Sequence, residues 1–292
     1  MEYLLIPLGC ALASLKVTLQ SKFSKKGEHS LAQSVLFTAI MFATISVMFL
    51  PTIFDGGITG TTVLYAAAVG IFSYLYQIFY VLALSLGRMT LTVIINNFGM
   101  LIPMIVSVVM LGDPFTPLIG VGAVLAFVSL CLSVVQKKEN SHKGEGTKWL
   151  IFALIVFLTN GFASTSQKMY TALAGKEFQL FEFICLAYLI AATASFITYI
   201  FLAPNDRKKG IKPMSKGEIL IGCGVGLSLG TFQCVNTVAM SLIGGAIYYP
   251  AFNCGTSLML ALVGAVLFKE RFTVKQYVGI SLGVVAILLL CI

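Results

Sequence analysis

Ten stretches of roughly 20 apolar residues follow one another along this chain, and each is long enough to cross about 30 Å of hydrocarbon as a helix. They lie near 3–21, 31–50, 62–85, 90–111, 116–135, 148–172, 178–202, 217–242, 245–268 and 274–292. Lipid offers no partner to a backbone amide, so a spanning segment closes its hydrogen bonds within itself, as a helix does. The expected fold is therefore all-α and integral to the membrane, with ten transmembrane helices. The connections between the stretches are mostly short. With 58% hydrophobic and 10% charged residues, nothing is left over to build a soluble domain.

The segment Tyr248 to Gly255, YYPAFNCG, has a counterpart earlier in the chain. A shift of 156 places it on Thr92 to Gly99, TVIINNFG, with Asn253 over Asn97 and Gly255 over Gly99. The same ungapped shift sets Gly226 over Gly70, Gln233 over Gln77, Ala239 over Ala83 and Ser241 over Ser85. Apolar matches carry little information in so hydrophobic a chain, but two amides recurring at one offset do. After Leu111 and Leu267 one inserted residue brings Phe272-Thr273 over Phe115-Thr116 and Gly279 over Gly122. Aligning Lys168 with Lys22 sets Asn160 over Ser14. The chain reads as two copies of one unit: a first five-helix copy over 1–135, a cytoplasmic linker over 136–147 (mostly polar, QKKENSHKGEGT) and a second copy over 148–292. Five helices per copy is an odd number. The second copy must then enter the membrane inverted relative to the first, about a pseudo-two-fold axis in the membrane plane.

The net charge of +8 invites a nucleic-acid partner, and the placement of the charges argues against one. Of the 19 Lys and Arg, all but Lys16, Lys168 and Lys176 lie in the loops after the first, third, fifth, seventh and ninth spans. The other loops hold little beyond Lys176, Asp55, Asp113 and Glu177. This asymmetry is the positive-inside pattern. It puts the basic loops in the cytoplasm and both termini outside. The seven cysteines all lie within apolar stretches, where they act as small apolar side chains, so neither a disulfide nor a CxxC metal site is expected, and no cofactor.

Polar side chains inside the stretches are the candidates for chemistry. Lys16 in the first span costs roughly 3 kcal/mol there unless it has water or a partner. It either snorkels to the interface or lines a wet cavity and faces an anionic group of a substrate. Tyr76 and Tyr80 share a face of the third span with Gln77 beside them. Side-chain amides in hydrocarbon need partners, so Asn97, Asn160, Gln233 and Asn253 are expected to point into the bundle. The sixth span is polar throughout Asn160, Ser164, Ser166, Gln167 and Lys168. In the ninth, Tyr248 and Tyr249 precede Pro250, which removes a backbone donor and frees a carbonyl near Ala246. A broken helix near the midplane is where carriers build a site. Glu182 lies toward one end of its span and is expected at the interface or in an ion pair.

Gly226-Leu227-Ser228-Leu229-Gly230 matches a nucleophile elbow in letters only. That motif needs a strand-to-helix turn and a histidine base, and the only histidines, His29 and His142, lie in loops. Gly222, Gly226 and Gly230 are better read as a small-residue packing stripe.

Two matching loop segments, Leu111-Gly-Asp-Pro-Phe-Thr116 and Leu267-Phe-Lys-Glu-Arg-Phe-Thr273, precede a glycine-bearing last helix in each copy. With ten spans in two five-helix copies, the chain resembles the drug/metabolite transporter superfamily, EamA type, over essentially its whole length. The resemblance implies a secondary carrier with a central cavity, lined chiefly by the first, third and fourth helices of each copy. It also implies substrates among amino acids, nucleotide-linked or phosphorylated metabolites and organic cations, and a bacterial plasma membrane as the location. This chain departs from the family in lacking the usual tryptophan in its first span and in carrying Lys16 there. Several members have both termini in the cytoplasm, the reverse of what the charges argue here.

The candidate substrate contacts are thus Lys16, Tyr76, Gln77, Tyr80, Asn97, Asn160, Gln233, Tyr248, Tyr249 and Asn253. The leading expectation is a carrier of a small polar metabolite, amino-acid-like or another organic solute, with Lys16 meeting a carboxylate. The alternative is a choline-like organic cation held by the aromatic side chains. An intramembrane enzyme lacks HExxH, spanning histidines and paired carboxylates, and a scaffold lacks docking loops. Beyond the substrate, the expected partners are membrane lipids, with a homodimer compatible and nucleic acid excluded.

Overall fold

A computed structural model describes residues 2–24, 29–54, 57–85, 89–133, 146–211, 213–267 and 273–291. The described residues form eleven α-helices and short 3-10 turns, with no strand among them. The helices are α1 (Leu5–Ser24), α2 (Leu31–Phe49), α3 (Gly60–Ser85), α4 (Met89–Phe98), α5 (Leu101–Leu111), α6 (Pro117–Ser133), α7 (Gly146–Leu173), α8 (Leu180–Lys208), α9 (Lys216–Leu242), α10 (Gly245–Leu267) and α11 (Val274–Cys291). Seven apolar segments are long enough to cross a membrane, and three shorter ones, Ile95–Leu111, Pro117–Leu132 and Val274–Leu290, are apolar as well. Large apolar side chains such as Leu64, Val109 and Phe201 stand exposed on the outer surface, as in a protein solvated by lipid. Most of the expected linker, residues 136–145, lies outside the described residues, and Gly146 and Thr147 open α7.

One expected span is two helices. The stretch 90–111 divides between α4 and α5 at Gly99–Met100, where the bonds tighten to Gly99 N to Asn96 O, 3.0 Å, and Met100 N to Asn97 O, 3.3 Å. Pro103 cannot donate to the Gly99 carbonyl, and Ile102 N does so instead at 3.3 Å. The Asn160 side chain donates to the Asn96 carbonyl at 3.2 Å, which helps satisfy the backbone at the break. A Cβ on Gly99 would lie 3.0 Å from the Phe157 carbonyl, and a Cβ on Gly161 would lie 2.9 Å from the Gly99 carbonyl. Two facing glycines therefore bring the break onto α7. At Pro250 the outcome is the opposite of the expectation: α10 runs unbroken through it, so a proline alone does not interrupt the helix.

The packing partners are distributed in a regular way. α2 packs on α8 and α6 on α11; α3 packs on α7 and α8, while α9 packs on α1 and α2. Glycines make the closest approaches. A Cβ on Gly70 of α3 would collide with the Ala187 carbonyl of α8 and touch the Ile190 side chain at 3.0 Å. A Cβ on Gly226 of α9 would meet the Met41 carbonyl of α2 at 2.6 Å and Thr44 Cβ at 2.7 Å. Gly222 and Gly230 continue that stripe along α2, against Ile40 and Met48. Ser228 donates to the Leu12 carbonyl at 3.1 Å within a continuous helix, so the elbow-like letters belong to packing.

Two apolar cores result. One gathers Phe42, Ile45, Tyr170, Phe183 and Val225 around α2 and α8; the other gathers Ile6, Met104, Ile119, Tyr248 and Leu290 around α1, α5, α6 and α10. Polar ties close the ends of the bundle. At one end Gln179 accepts from Thr59 N at 3.1 Å and donates to Gly57 O at 2.8 Å, joining the starts of α3 and α8. At the other, Ser30 before α2 donates to Asp206 of α8.

Lys22, Lys148, Arg207, Lys208, Lys209, Lys216 and Lys275 occupy the ends of α1, α7, α8, α9 and α11. Lys25, Lys26, Arg88, Lys137, Lys138, Lys143, Lys212, Lys269 and Arg271, with Asp55, His142 and most of the Leu267–Thr273 segment, lie outside the described residues. Glu182 sits in the first turn of α8, where a carboxylate suits the helix dipole.

Candidate functional site

Between the two cores lies a cavity of about 210 Å³. Met41, Phe42, Val69, Tyr188 and Leu229 line it from one core and Met100, Met240, Tyr248 and Tyr249 from the other. Eight of the ten sequence candidates reach it: Lys16 from α1, Tyr76 and Gln77 from α3, Asn160 from α7, Gln233 from α9, and Tyr248, Tyr249 and Asn253 from α10.

Two candidates do not reach the cavity. Tyr80 is one turn beyond Tyr76 and stacks on its ring, with centroids 5.6 Å apart. Asn97 turns toward Phe98 and toward Phe127 and Leu130 of α6, in a separate crevice. Gln77 and Gln233, 156 positions apart, both line the cavity, whereas of Asn97 and Asn253, at the same offset, only the latter does. The reason is local: α4 ends at the break one residue past Asn97, while Asn253 lies within a continuous α10, its amide donating to the Tyr249 carbonyl at 3.0 Å.

The cavity wall between α7, α8, α9 and α10 is an amide and hydroxyl network. Gln167 Nε2 donates to Thr237 Oγ1 at 2.7 Å and to Gln233 Oε1 at 3.2 Å. Asn236 Nδ2 donates to Gln233 Oε1 at 3.3 Å and Gln167 Oε1 at 3.4 Å. Gln233 Nε2 donates to the Tyr188 hydroxyl, and the Tyr248 hydroxyl donates to Asn236 Oδ1. Tyr249 donates to the Ser164 carbonyl at 3.2 Å. Most of these groups are already paired, so they build a rigid polar wall.

Tyr188 and Asn236 were missed from sequence. Asn236 sits at Gln233 plus three, on the same helical face, a spacing that marks it in retrospect. Tyr188 is alone among apolar neighbours and carries no such signal.

The ring walls are ordered too. Phe232, Phe252 and Tyr248 stack in series, with centroids 5.4 Å and 5.7 Å apart, and Tyr249 meets Tyr248 edge-on at 5.5 Å. Lys16 is different in kind from the wall. Its side chain belongs to the cavity lining, and among the described residues it has no hydrogen-bond or ion-pair partner. No group of three or more metal-ligating side chains occurs among the described residues.

Lys168, beside the network residue Gln167, is fully engaged. It is buried, donates to the carbonyls of Met240 at 2.8 Å and Ile243 at 3.2 Å, and lies 3.7 Å from the Asp113 carboxylate. Asp113 in turn accepts from Ser107 Oγ and from Gly245 N, the first amide of α10. The knot joins α5, α7, α9 and α10 at the end of the bundle nearest Tyr248.

No family model and no curated protein matches the sequence. A solved structure described as "Crystal structure of protein" superposes with a TM-score of 0.76 over 98% of this chain and 94% of that one, at 15% identity. A likeness at that identity establishes the fold and nothing of the chemistry.

Proposed function

We propose that this protein is a secondary membrane transporter that moves a small polar metabolite by alternating access. The observation that carries the reading is the cavity: it is central, it lies between two cores, and helices of both halves line it, with Gln77 and Gln233 contributed by equivalent positions of the two copies. Pockets of about 300–1,000 Å³ suit drug-sized ligands, so a cavity of about 210 Å³ suits a smaller one.

The packing supports two inverted five-helix copies. The contacts of Gly70 with Ala187 and Ile190, and of Gly226 with Met41 and Thr44, are equivalent under the repeat, with glycines 156 apart and both contacted pairs 146 apart. The latter is also the spacing of Lys22 and Lys168. Gly122 of α6 packs on Ala286 of α11, and Ser129 Oγ of α6 donates to the Gly279 carbonyl of α11 at 2.7 Å, again a matched pair. Inverted copies supply two conformations of similar energy, because each half can adopt the shape of the other. The resemblance to EamA-type transporters points the same way. Basic residues at the ends of α1, α7, α8, α9 and α11 support a cytoplasmic placement for that side of a plasma-membrane protein, with the termini outside.

The test is counterflow in proteoliposomes. Vesicles loaded with an unlabelled solute are expected to accumulate the labelled form transiently, saturably and only when the protein is present. Ala163→Phe, which fills the cavity from α7, is expected to abolish the signal. A panel of small polar solutes that exchange no faster than in protein-free vesicles would remove the carrier reading.

A further inference from the structure

The two intramembrane lysines are treated in opposite ways. Lys168 is compensated by two carbonyls and the Asp113 carboxylate. Lys16 lines the cavity and, among the described residues, has no such partner, nor does any described Asp or Glu line that cavity. An uncompensated ammonium in a low-dielectric site is costly. The neutral groups around it cannot neutralise it, and the amides of Gln167, Gln233 and Asn236 are already bonded to one another or to neighbouring hydroxyls. Compensation has to arrive with whatever enters.

We propose that the substrate of this cavity is a small organic monoanion carrying no cationic group: a monocarboxylate whose carboxylate pairs with Lys16 and whose apolar body lies along the Phe232–Phe252–Tyr248 ring stack. The inference narrows the carrier reading above and rests on it.

The helix geometry suits such a ligand. A Cβ on Gly9 of α1 would be 3.5 Å from the Phe252 ring and 3.9 Å from that of Phe232. Lys16 lies seven residues later, so both positions fall on one face of α1 about 10 Å apart. One helix face therefore presents a cation at one point and meets a ring stack two turns away. A carboxylate with a short apolar body spans that interval.

The same geometry disfavours the two other charge classes. In an amino acid the ammonium would share the cavity with Lys16, and like charges about 6 Å apart at an effective dielectric near 20 cost roughly a hundred-fold in affinity. A quaternary amine meets the same repulsion without the offsetting carboxylate. The rings that would hold it are stacked on one another, and the hydroxyls of Tyr248 and Tyr249 are already bonded.

The experiment uses compounds that share a side chain and differ in which charged groups they carry, with the purified full-length protein in detergent and its melting temperature as readout. One set is 3-phenylpropanoate, phenylalanine and 2-phenylethylamine; the other is 4-methylpentanoate, leucine and 3-methylbutylamine. The carboxylates are expected to raise Tm by about 5 °C at a hundred-fold excess over Kd, while the zwitterions and amines give no shift. Lys16→Met is expected to abolish the carboxylate shift and Lys16→Arg to keep one of the same sign. The assignment is overturned if an amino acid stabilises as well as its deaminated counterpart, if the carboxylate shift survives Lys16→Met, or if the whole panel is flat. Should Lys16→Met not fold, the ranking within each set on the unmodified protein decides alone. Counterflow with the same compounds separates the two claims. Exchange of an amino acid that also stabilises refutes the monoanion and leaves the carrier, whereas carboxylate binding with no exchange of any compound keeps the site and refutes the carrier.

Discussion

The ammonium of Lys168 lies 3.7 Å from the carboxylate of Asp113, across 55 positions of sequence, with both side chains largely buried. This pair ties α7 to the turn after α5. Through the bonds to Met240, Ile243 and Gly245 it also holds the end of α9 and the start of α10. Removing one partner of a buried pair leaves the other charge uncompensated, at a typical cost of about 3 kcal/mol. Asp113→Asn and Lys168→Met should each lower Tm by several degrees. The double variant should lose less than the sum, with a coupling of about 1–3 kcal/mol. Thermal melts of the four proteins measure this, and strictly additive losses would show that the two charges do not sense each other.

Gly226 faces the Met41 carbonyl so closely that any side chain must push α9 away from α2. Overpacking of this kind costs about 1–3 kcal/mol. Gly226→Val is therefore expected to lower Tm by several degrees. Gly224→Val, whose Cβ meets only Leu19 Cδ1 at 3.9 Å, should leave it within about a degree. Equal losses at both positions would mean that the close approach to Met41 does not set the cost.

Tyr188→Phe removes the hydroxyl that accepts from Gln233 Nε2. A buried donor left without a partner costs about 1–3 kcal/mol. Tyr74→Phe breaks a hydroxyl pair with Thr198, 2.6 Å long, away from the cavity, and Thr198 keeps its bond to the Ala194 carbonyl at 3.0 Å. Denaturation midpoints should therefore rank Tyr188→Phe below Tyr74→Phe, and the reverse order would mean that the cavity wall is looser than its bonds indicate.

Trp149 is the only tryptophan in the chain; it is buried, and its indole N–H donates to Thr92 Oγ1 at 2.9 Å. Intrinsic emission therefore reports one place, the contact of α7 with α4. It is expected to be blue-shifted and poorly quenched by iodide, and Thr92→Val should alter it by removing the indole's acceptor. Emission at the wavelength of a water-exposed indole would show that α4 does not pack on α7 as described.

The sequence by itself determined where the apolar helices lie. Length and composition are local properties, and α2, α3, α9, α10 and α11 begin and end within two residues of the limits expected from them. It also singled out Gln77, Gln233 and Lys16, because a polar side chain in an apolar stretch is conspicuous wherever it points. Which way each helix turns was decided only by the tertiary structure. These helices are apolar almost all round, since the lipid side is as hydrophobic as the core, so no amphipathic stripe announces the inner face. Hence Asn97 proved to face a separate crevice, Tyr80 proved to lie one turn past the cavity, stacked on Tyr76, Tyr188 and Asn236 proved to line it, and Asp113, expected in a loop, proved to be the counter-ion of Lys168. The break between α4 and α5 was likewise settled by packing. Pro103 and Pro250 both remove a backbone donor, but only beside Pro103 do Gly99 and Gly161 bring a neighbouring helix close enough for Asn160 to satisfy a carbonyl at the interruption.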